Sequence, residues 1–244
     1  MSIQIIEILG RATQGVTRPF ICIGQDREFY FVKGRGAGRR SLICEWIAGA
    51  LACKMGLPVA PFQLVDVPQE LIALETRDDL NELGAGVAFG SRKQDVVELS
   101  LPHLPEIPDP IKQDVIIFDW WVQNADRSLS DAGGNPNLFW DENSNQLVVI
   151  DHNQAFDPEF SVSEFCCSHV FRQQIRVLSK DQSLQQHYAK VFDKIMSDWL
   201  AICNSTPEEW WFIDDEQTLP VDFDRNKIKT QLLRYRENAF WKMI

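Results

Sequence analysis

Short apolar runs separated by polar turns dominate the first third of the chain. Residues 3–9, 20–24 and 28–33 are rich in Ile, Val, Phe and Tyr, and each run has the length and composition of a β-strand. Gly10 and Gly15 bracket the polar segment between the first two, and Gln25-Asp26-Arg27 closes the second turn. The period then changes. From Arg39 to Met55 the apolar residues Leu42, Ile43, Trp46, Ile47, Ala50 and Leu51 recur three and four apart, which predicts one face of a helix. Gly56 stands where a helix-ending glycine belongs, with Pro58 just beyond. Residues 59–67 read as a further strand. Pro68 opens a helix to about Leu83, and Gly84-Ala85-Gly86 breaks it before a short strand at 87–91.

The rest reads mainly as helix. Residues 101–110 carry four prolines and predict an extended segment. Residues 111–123, apolar at Val115, Ile116, Phe118, Trp120 and Trp121, predict a buried helix. Helices are predicted again over 184–203, 207–212 and 223–241, with Thr206 as N-cap and Pro207 at the first helical position of the second. The Trp120-Trp121 and Trp210-Trp211 pairs read most simply as core aromatics. No internal repeat or low-complexity stretch is present.

Two short apolar runs interrupt this helical half, Leu138-Phe139-Trp140 and Leu147-Val148-Val149-Ile150. Both read as buried strands, and residues 140–146 supply the turn of a hairpin. Asn137 opens the first run and Asp151 ends the second, so the hairpin brings both side chains to one end of the sheet. Asp126 precedes them in Asn124-Ala125-Asp126-Arg127. Phosphoryl transfer from ATP needs such a set. One carboxylate orients the acceptor hydroxyl, while an amide and a second carboxylate hold Mg²⁺ against the phosphates. A single Asp at a strand end is ordinary turn chemistry; the ordered set is more specific. Asn135 precedes a proline and suits a turn start, Asn137 enters the strand directly, and either could reach the metal.

Composition narrows the field. A chain of 244 residues with 45% hydrophobic content can bury a sizeable core, and disorder is excluded on that ground. The net charge of −11 argues against a nucleic-acid surface. Six cysteines form no C-x-x-C pair, so reduced thiols in a cytoplasmic protein are expected. No basic segment precedes an apolar core at the N-terminus, which predicts no secretory leader, and no apolar run reaches the ~18–20 residues of a membrane span. His103, His169 and His187 are scattered and give no zinc-ligand spacing. No G-x-S-x-G elbow is present for acyl transfer.

Taken together, Asn124-x-Asp126-Arg127, Asn135-Pro136-Asn137-Leu138 and Ile150-Asp151-His152 resemble the small HipA-like kinases, distant relatives of protein and phosphatidylinositol kinases. The N-terminal half joins the resemblance. Tyr30-Phe31-Val32-Lys33, the helix around Glu45 and Leu57-Pro58-Val59-Ala60-Pro61 are similar to that family's lysine strand, glutamate helix and exit strand. One departure stands out. The family's Asn-Pro-Asn follows its Asp-Arg pair almost directly, whereas seven residues, 128–134, intervene here. The Gly133-Gly134 pair and the polar run favour a mobile surface excursion.

The resemblance implies a two-lobed, protein-kinase-like α+β fold. Residues 1–91 would form a small antiparallel-sheet lobe and 92–244 a mainly helical one, with the strand at 87–91 as hinge. It implies an ATP- and Mg²⁺-dependent protein Ser/Thr kinase. Asp126 would be the catalytic base, and Asp151 with Asn137 or Asn135 the metal ligands. Lys33, fixed by Glu45, would contact the α/β phosphates. Gly10 and Gly15 form the candidate phosphate lid, since glycine lets backbone N–H groups approach phosphate closely. Arg127 would contact phosphate or orient its loop, and His152 would stack or hydrogen-bond to hold the segment after Asp151. The acceptor is expected to be a protein, with no nucleic-acid or membrane partner. A nucleotide-binding pseudokinase or interaction module, with the 128–134 insertion as its basis, and a small-molecule phosphotransferase are the competing readings.

Overall fold

The computed structural model describes residues 2–13, 18–74, 77–130 and 133–242. The chain divides into two compact units that interleave in sequence. The first comprises Met1–Trp46, Ala60–Asp95 and Pro207–Asp222; the second comprises Ile47–Val59, Val96–Thr206 and Phe223–Ile244.

The first unit is built on five strands: β1 (Ile3–Arg11), β2 (Phe20–Gly24), β3 (Phe29–Lys33), β4 (Phe62–Val67) and β5 (Gly86–Arg92). They close into a barrel in the order β1-β2-β3-β5-β4. An antiparallel sheet was expected. Most pairings are antiparallel, but β1 runs parallel to β4 through Ile3–Val65 and Gln4–Asp66, and that pairing closes the ring. The register of β1 against β2 shifts twice, between Ile5 and Glu7 and between Ile8 and Gly10. Such irregularities bend a strand and tighten its twist, which lets the first strand reach the fourth. Ile5, Cys22, Tyr30, Val32, Val65 and Ala88 fill the interior.

Helix α1 (Arg39–Met55) follows β3 and runs from the first unit's sequence into the second's. The helix expected over 68–83 is two short pieces, α2 (Gln69–Leu74) and α3 (Leu80–Leu83). The Pro207–Asp222 segment contributes a 3₁₀ turn at Glu208–Trp211. Trp210 is buried there, and its indole N–H donates to the Val87 carbonyl at 3.0 Å.

The second unit is mostly helical. Its first long helix is α4 (Asp109–Val122). A three-stranded antiparallel sheet follows the order β6-β7-β8, from β6 (Val97–Glu98), β7 (Leu138–Asp141) and β8 (Gln146–Val149). The proline-rich segment before α4 is a 3₁₀ helix at Leu101–Glu106 rather than extended chain. The remaining helices are α5 (Val162–Ser168), α6 (Ile175–Lys180), α7 (Gln182–Met196), α8 (Trp199–Asn204), α9 (Arg225–Leu232) and α10 (Asn238–Trp241). The expected single helix over 184–203 is broken at Ser197-Asp198, between α7 and α8. Aromatic packing centres this unit on α4: Trp121 stacks on Phe192 with ring centroids 4.1 Å apart, and its indole N–H donates to the Leu232 carbonyl at 2.8 Å. No disulfide joins the six cysteines. Among the described residues no helix is long and apolar enough to cross a membrane.

Candidate active site

Lys33 is the last residue of β3, paired across to Phe89 of β5. Its ammonium donates to the Glu45 carboxylate at 2.8 Å, and both side chains are buried. A charge is stable out of water only when paired, so each holds the other in place. The turn that carries the chain from β3 to α1 depends on Gly34. A Cβ at this position would lie 2.0 Å from the Leu83 carbonyl oxygen, so only glycine permits that approach. Arg35–Ala37 then forms a 3₁₀ turn. Of the two lid glycines, Gly10 lies within β1, paired with Ile21; Gly15 falls outside the described residues.

In the second unit, α4 ends at Gln123, which takes a left-handed conformation at φ 55°. The chain then runs through Asn124 to a half-buried Asp126. The β7–β8 hairpin pairs Leu138 with Val149, and the Ile150 N–H donates to the Asn137 carbonyl at 3.1 Å. Asn137 and Asp151 therefore stand at the same end of the hairpin. The Asn137 amide donates to the Asp126 carboxylate at 2.8 Å and to the Asp126 carbonyl at 3.2 Å. Its nitrogen is thereby committed to Asp126, and the amide oxygen is the atom suited to a metal. Asn135 is exposed, and its carbonyl accepts from the Ser128 N–H at 3.2 Å. Of the two asparagines it is Asn137 that meets Asp126. Both Asn137 and Asp151 have left-handed backbones, at φ 50° and 56°. Such conformations are uncommon for residues with a Cβ and cluster at functional sites.

Arg127 has no exposed side-chain surface, so it is not a surface arginine, and its donors are directed at protein groups. Its Nε donates to Asp119 Oδ2 at 2.9 Å, and one terminal nitrogen donates to the carbonyls of Asn137 and Ile150, both at 2.8 Å. The other terminal nitrogen is 3.4 Å from the Asp151 carbonyl. Asp119, on α4, is also fully buried and accepts from the Asn124 amide at 2.9 Å and from His169 Nε2 at 3.2 Å. Burial by itself pushes the Asp119 carboxyl up, but the Arg127 charge and the His169 and Asn124 hydrogen bonds outweigh it, and the net shift is downward. Burial lowers the pKa of His169 despite the Asp119 contact. The Phe171 N–H donates to His169 Nδ1 at 3.0 Å, which puts the proton of the neutral ring on Nε2, facing Asp119.

Within the 128–134 stretch Ser128, Ser130 and Gly133 make backbone pairings. Ser130 and Gly133 exchange two backbone hydrogen bonds at 3.0 Å, and Ser128 bridges to His169. His152 is buried edge-on to Phe118, with ring centroids 5.7 Å apart. Among the described residues no group of three or more His, Cys, Asp or Glu side chains forms a metal site. A cation here would be held by few protein oxygens and would complete its shell with phosphate and water, as Mg²⁺ does. The oxygen donors of Asn137 and Asp151 fit that demand.

Asp119 and His169 were missed in the sequence. Asp119 carried a faint signal, as a lone carboxylate within the apolar stretch 115–122. His169 lies 50 residues away and carried none.

The model of the HipA-like kinase family matches residues 5–244. No curated protein sequence matches the chain. Among solved structures the chain is similar to the crystal structure of CtkA, a proinflammatory kinase of Helicobacter pylori. The TM-score is 0.53 at 12% identity, over 100% of this chain and 97% of that one. At that identity the likeness carries the α+β fold alone. The family match spans nearly the whole sequence, and the chain belongs to the HipA-like kinases.

Proposed function

We propose, from that membership, that the chain is an ATP- and Mg²⁺-dependent phosphotransferase acting on a protein hydroxyl. The observation that carries the reading is the Asn137 amide bound to the Asp126 carboxylate, with Asp151 at the same end of the hairpin. Asp126 is the group for the acceptor hydroxyl: it orients the oxygen and takes its proton as the bond to the γ-phosphorus forms and the bond from that phosphorus to ADP breaks, ADP leaving. Asn137 and Asp151 would hold Mg²⁺, which when bound neutralises charge on the phosphates. Lys33 supplies a cation for the phosphates, and Glu45 fixes it, as the 2.8 Å contact in the buried pair supports. Asn135, exposed and facing Ser128 through its backbone, is given no metal role.

The test pairs nucleotide binding with turnover. Asp126→Asn should leave Mg·ATP affinity nearly unchanged and remove transfer, because Asp126 acts on the acceptor. Asp151→Asn should lose Mg²⁺-dependent turnover, and Asn137→Ala should lose more activity than Asn135→Ala. A folded Asp151→Asn protein with full turnover would contradict the metal assignment. Wild-type protein that binds Mg·ATP yet transfers to neither itself nor cell-extract proteins would leave a nucleotide-binding module, the reading for which the 128–134 insertion is the sequence basis.

A further inference from the structure

We propose that Asp119, Arg127 and His169 are positioning residues, a single buried assembly that holds the backbones of Asn137 and Asp151 in the form a metal site needs. The inference rests on reading those two residues as the metal pair. Its starting point is their backbone. Both are left-handed, a conformation that Asn and Asp reach more readily than other residues with a Cβ and that fixed partners for the backbone help to hold. The contact they share is one guanidinium. Arg127 donates to the carbonyl of Asn137, to that of Ile150 in the peptide leading into Asp151, and over 3.4 Å to that of Asp151 itself. A planar fork has fixed donor directions, so fixing its plane fixes three carbonyls at once.

The plane is set from behind. Asp119 receives the Arg127 Nε–H, and Asp119 is held in turn by Asn124 and by the Nε2 proton of His169. The His169 ring is oriented by the Phe171 N–H on its other nitrogen. The order is therefore Phe171 backbone, His169, Asp119, Arg127, then the two site residues. None of the three side chains exposes surface to a ligand. Stability alone is a poor reason for such an assembly, since well-packed apolar residues often replace a buried ion pair at no loss. What apolar residues cannot do is grip carbonyls.

The test reads metal binding rather than turnover. Mn²⁺ affinity in the presence of ATP is measured by EPR, beside ATP affinity without metal and the melting curve, for wild type, Arg127→Lys, His169→Leu and His169→Gln. Arg127→Lys keeps the charge and loses the fork; His169→Leu loses the donor to Asp119; His169→Gln restores an N–H. Loss of such supporting contacts weakens metal sites by about 10–100-fold. That loss is expected for Arg127→Lys and His169→Leu, with metal-free ATP affinity unchanged and with recovery in His169→Gln. Folded Arg127→Lys and His169→Leu proteins that bind Mn²⁺ as wild type does would overturn the proposal. If Arg127→Lys does not fold, the two His169 variants decide it: equal Mn²⁺ affinity in both overturns it, and a deficit in Leu recovered in Gln upholds it. Wild-type protein that binds ATP but no Mn²⁺ overturns the metal reading, and the positioning role with it.

Discussion

Lys33–Glu45 in the first unit and Arg127–Asp119 in the second each set a cation against a carboxylate, at 2.8 and 2.9 Å. They differ in what else the cation does. The Lys33 and Glu45 side chains retain 10% and 4% of their surface, and those of Arg127 and Asp119 retain none. An ammonium on a flexible stem is a mobile point charge, suited to meeting a phosphate; a buried guanidinium is a bracket. On the reading of Lys33 as a phosphate contact the first pair would take on a ligand, whereas the second, with no exposed side-chain surface, would only position backbone. The same charge chemistry thus has two uses, told apart by exposure and by the partners of the remaining donors.

The strongest way to break this contrast is to delete the bracket. Arg127→Met leaves the Asp119 charge buried without its main partner, and an uncompensated buried charge costs about 3–5 kcal/mol. A fall of that size in urea-unfolding free energy is expected. The double variant Asp119→Leu/Arg127→Met should regain much of the stability but not the activity. A single variant as stable as wild type would show that the buried Asp119 charge does not depend on Arg127.

The complementary change is Lys33→Met. Here the loss should fall on the reaction. Removal of one group aimed at transition-state charge typically costs about 10²–10³-fold in rate, and that drop is expected in kcat. Its effect on unfolding should be smaller than that of Arg127→Met, because the Lys33 pair is less completely buried. Equal stability losses in the two variants would erase the distinction between them.

The sequence displays these two pairs very unequally. Lys33 and Glu45 lie 12 residues apart on neighbouring elements, and a strand-end lysine followed by a helix glutamate is legible in one dimension. The hairpin was legible for a similar reason: two short apolar runs on either side of a polar turn set the strands and brought Asn137 and Asp151 to one end. The bracket was not. Its members come from α4, the following loop and the residue after α5, and nothing local couples Asp119 to His169. Barrel closure also escaped, because pairing between β1 and β4 depends on accumulated twist and not on either strand's composition. The helix break at Ser197-Asp198 was hidden by apolar spacing that continues across it, from Ile195 and Met196 to Trp199 and Ile202.

A subtler disturbance of the bracket comes from the insertion. A Cβ on Gly134 would lie 2.3 Å from the Ser128 carbonyl oxygen, and Ser128 directly follows Arg127. Gly134→Ala must push that backbone away, with an overpacking cost of about 1–3 kcal/mol. Displacements near 1 Å can cost up to about 10²-fold in rate, so a drop in kcat with little change in ATP affinity is expected. The excursion read from the sequence as mobile predicts instead that Gly134→Ala is silent, and kinetics of this one variant choose between them.

The smallest effect should appear in the pH dependence of stability. Burial keeps the pKa of His169 below its ordinary value in the folded chain. Once unfolded, the same ring regains a pKa near 6.5. Between the folded value and about 6.5 the unfolded chain binds a proton that the native chain does not. The stability that the neutral ring contributes is thus fully present above about pH 6.5 and drains away as pH falls below it. Other groups titrate over the same range, so the informative quantity is a difference in slope. Urea-unfolding free energies of wild type and His169→Gln should converge as pH falls from 7.5 to 5.5, because glutamine has no proton to gain. Parallel curves for the two proteins would mean that His169 takes up its proton without leaving the fold, and that the link to Asp119 tolerates a charged ring.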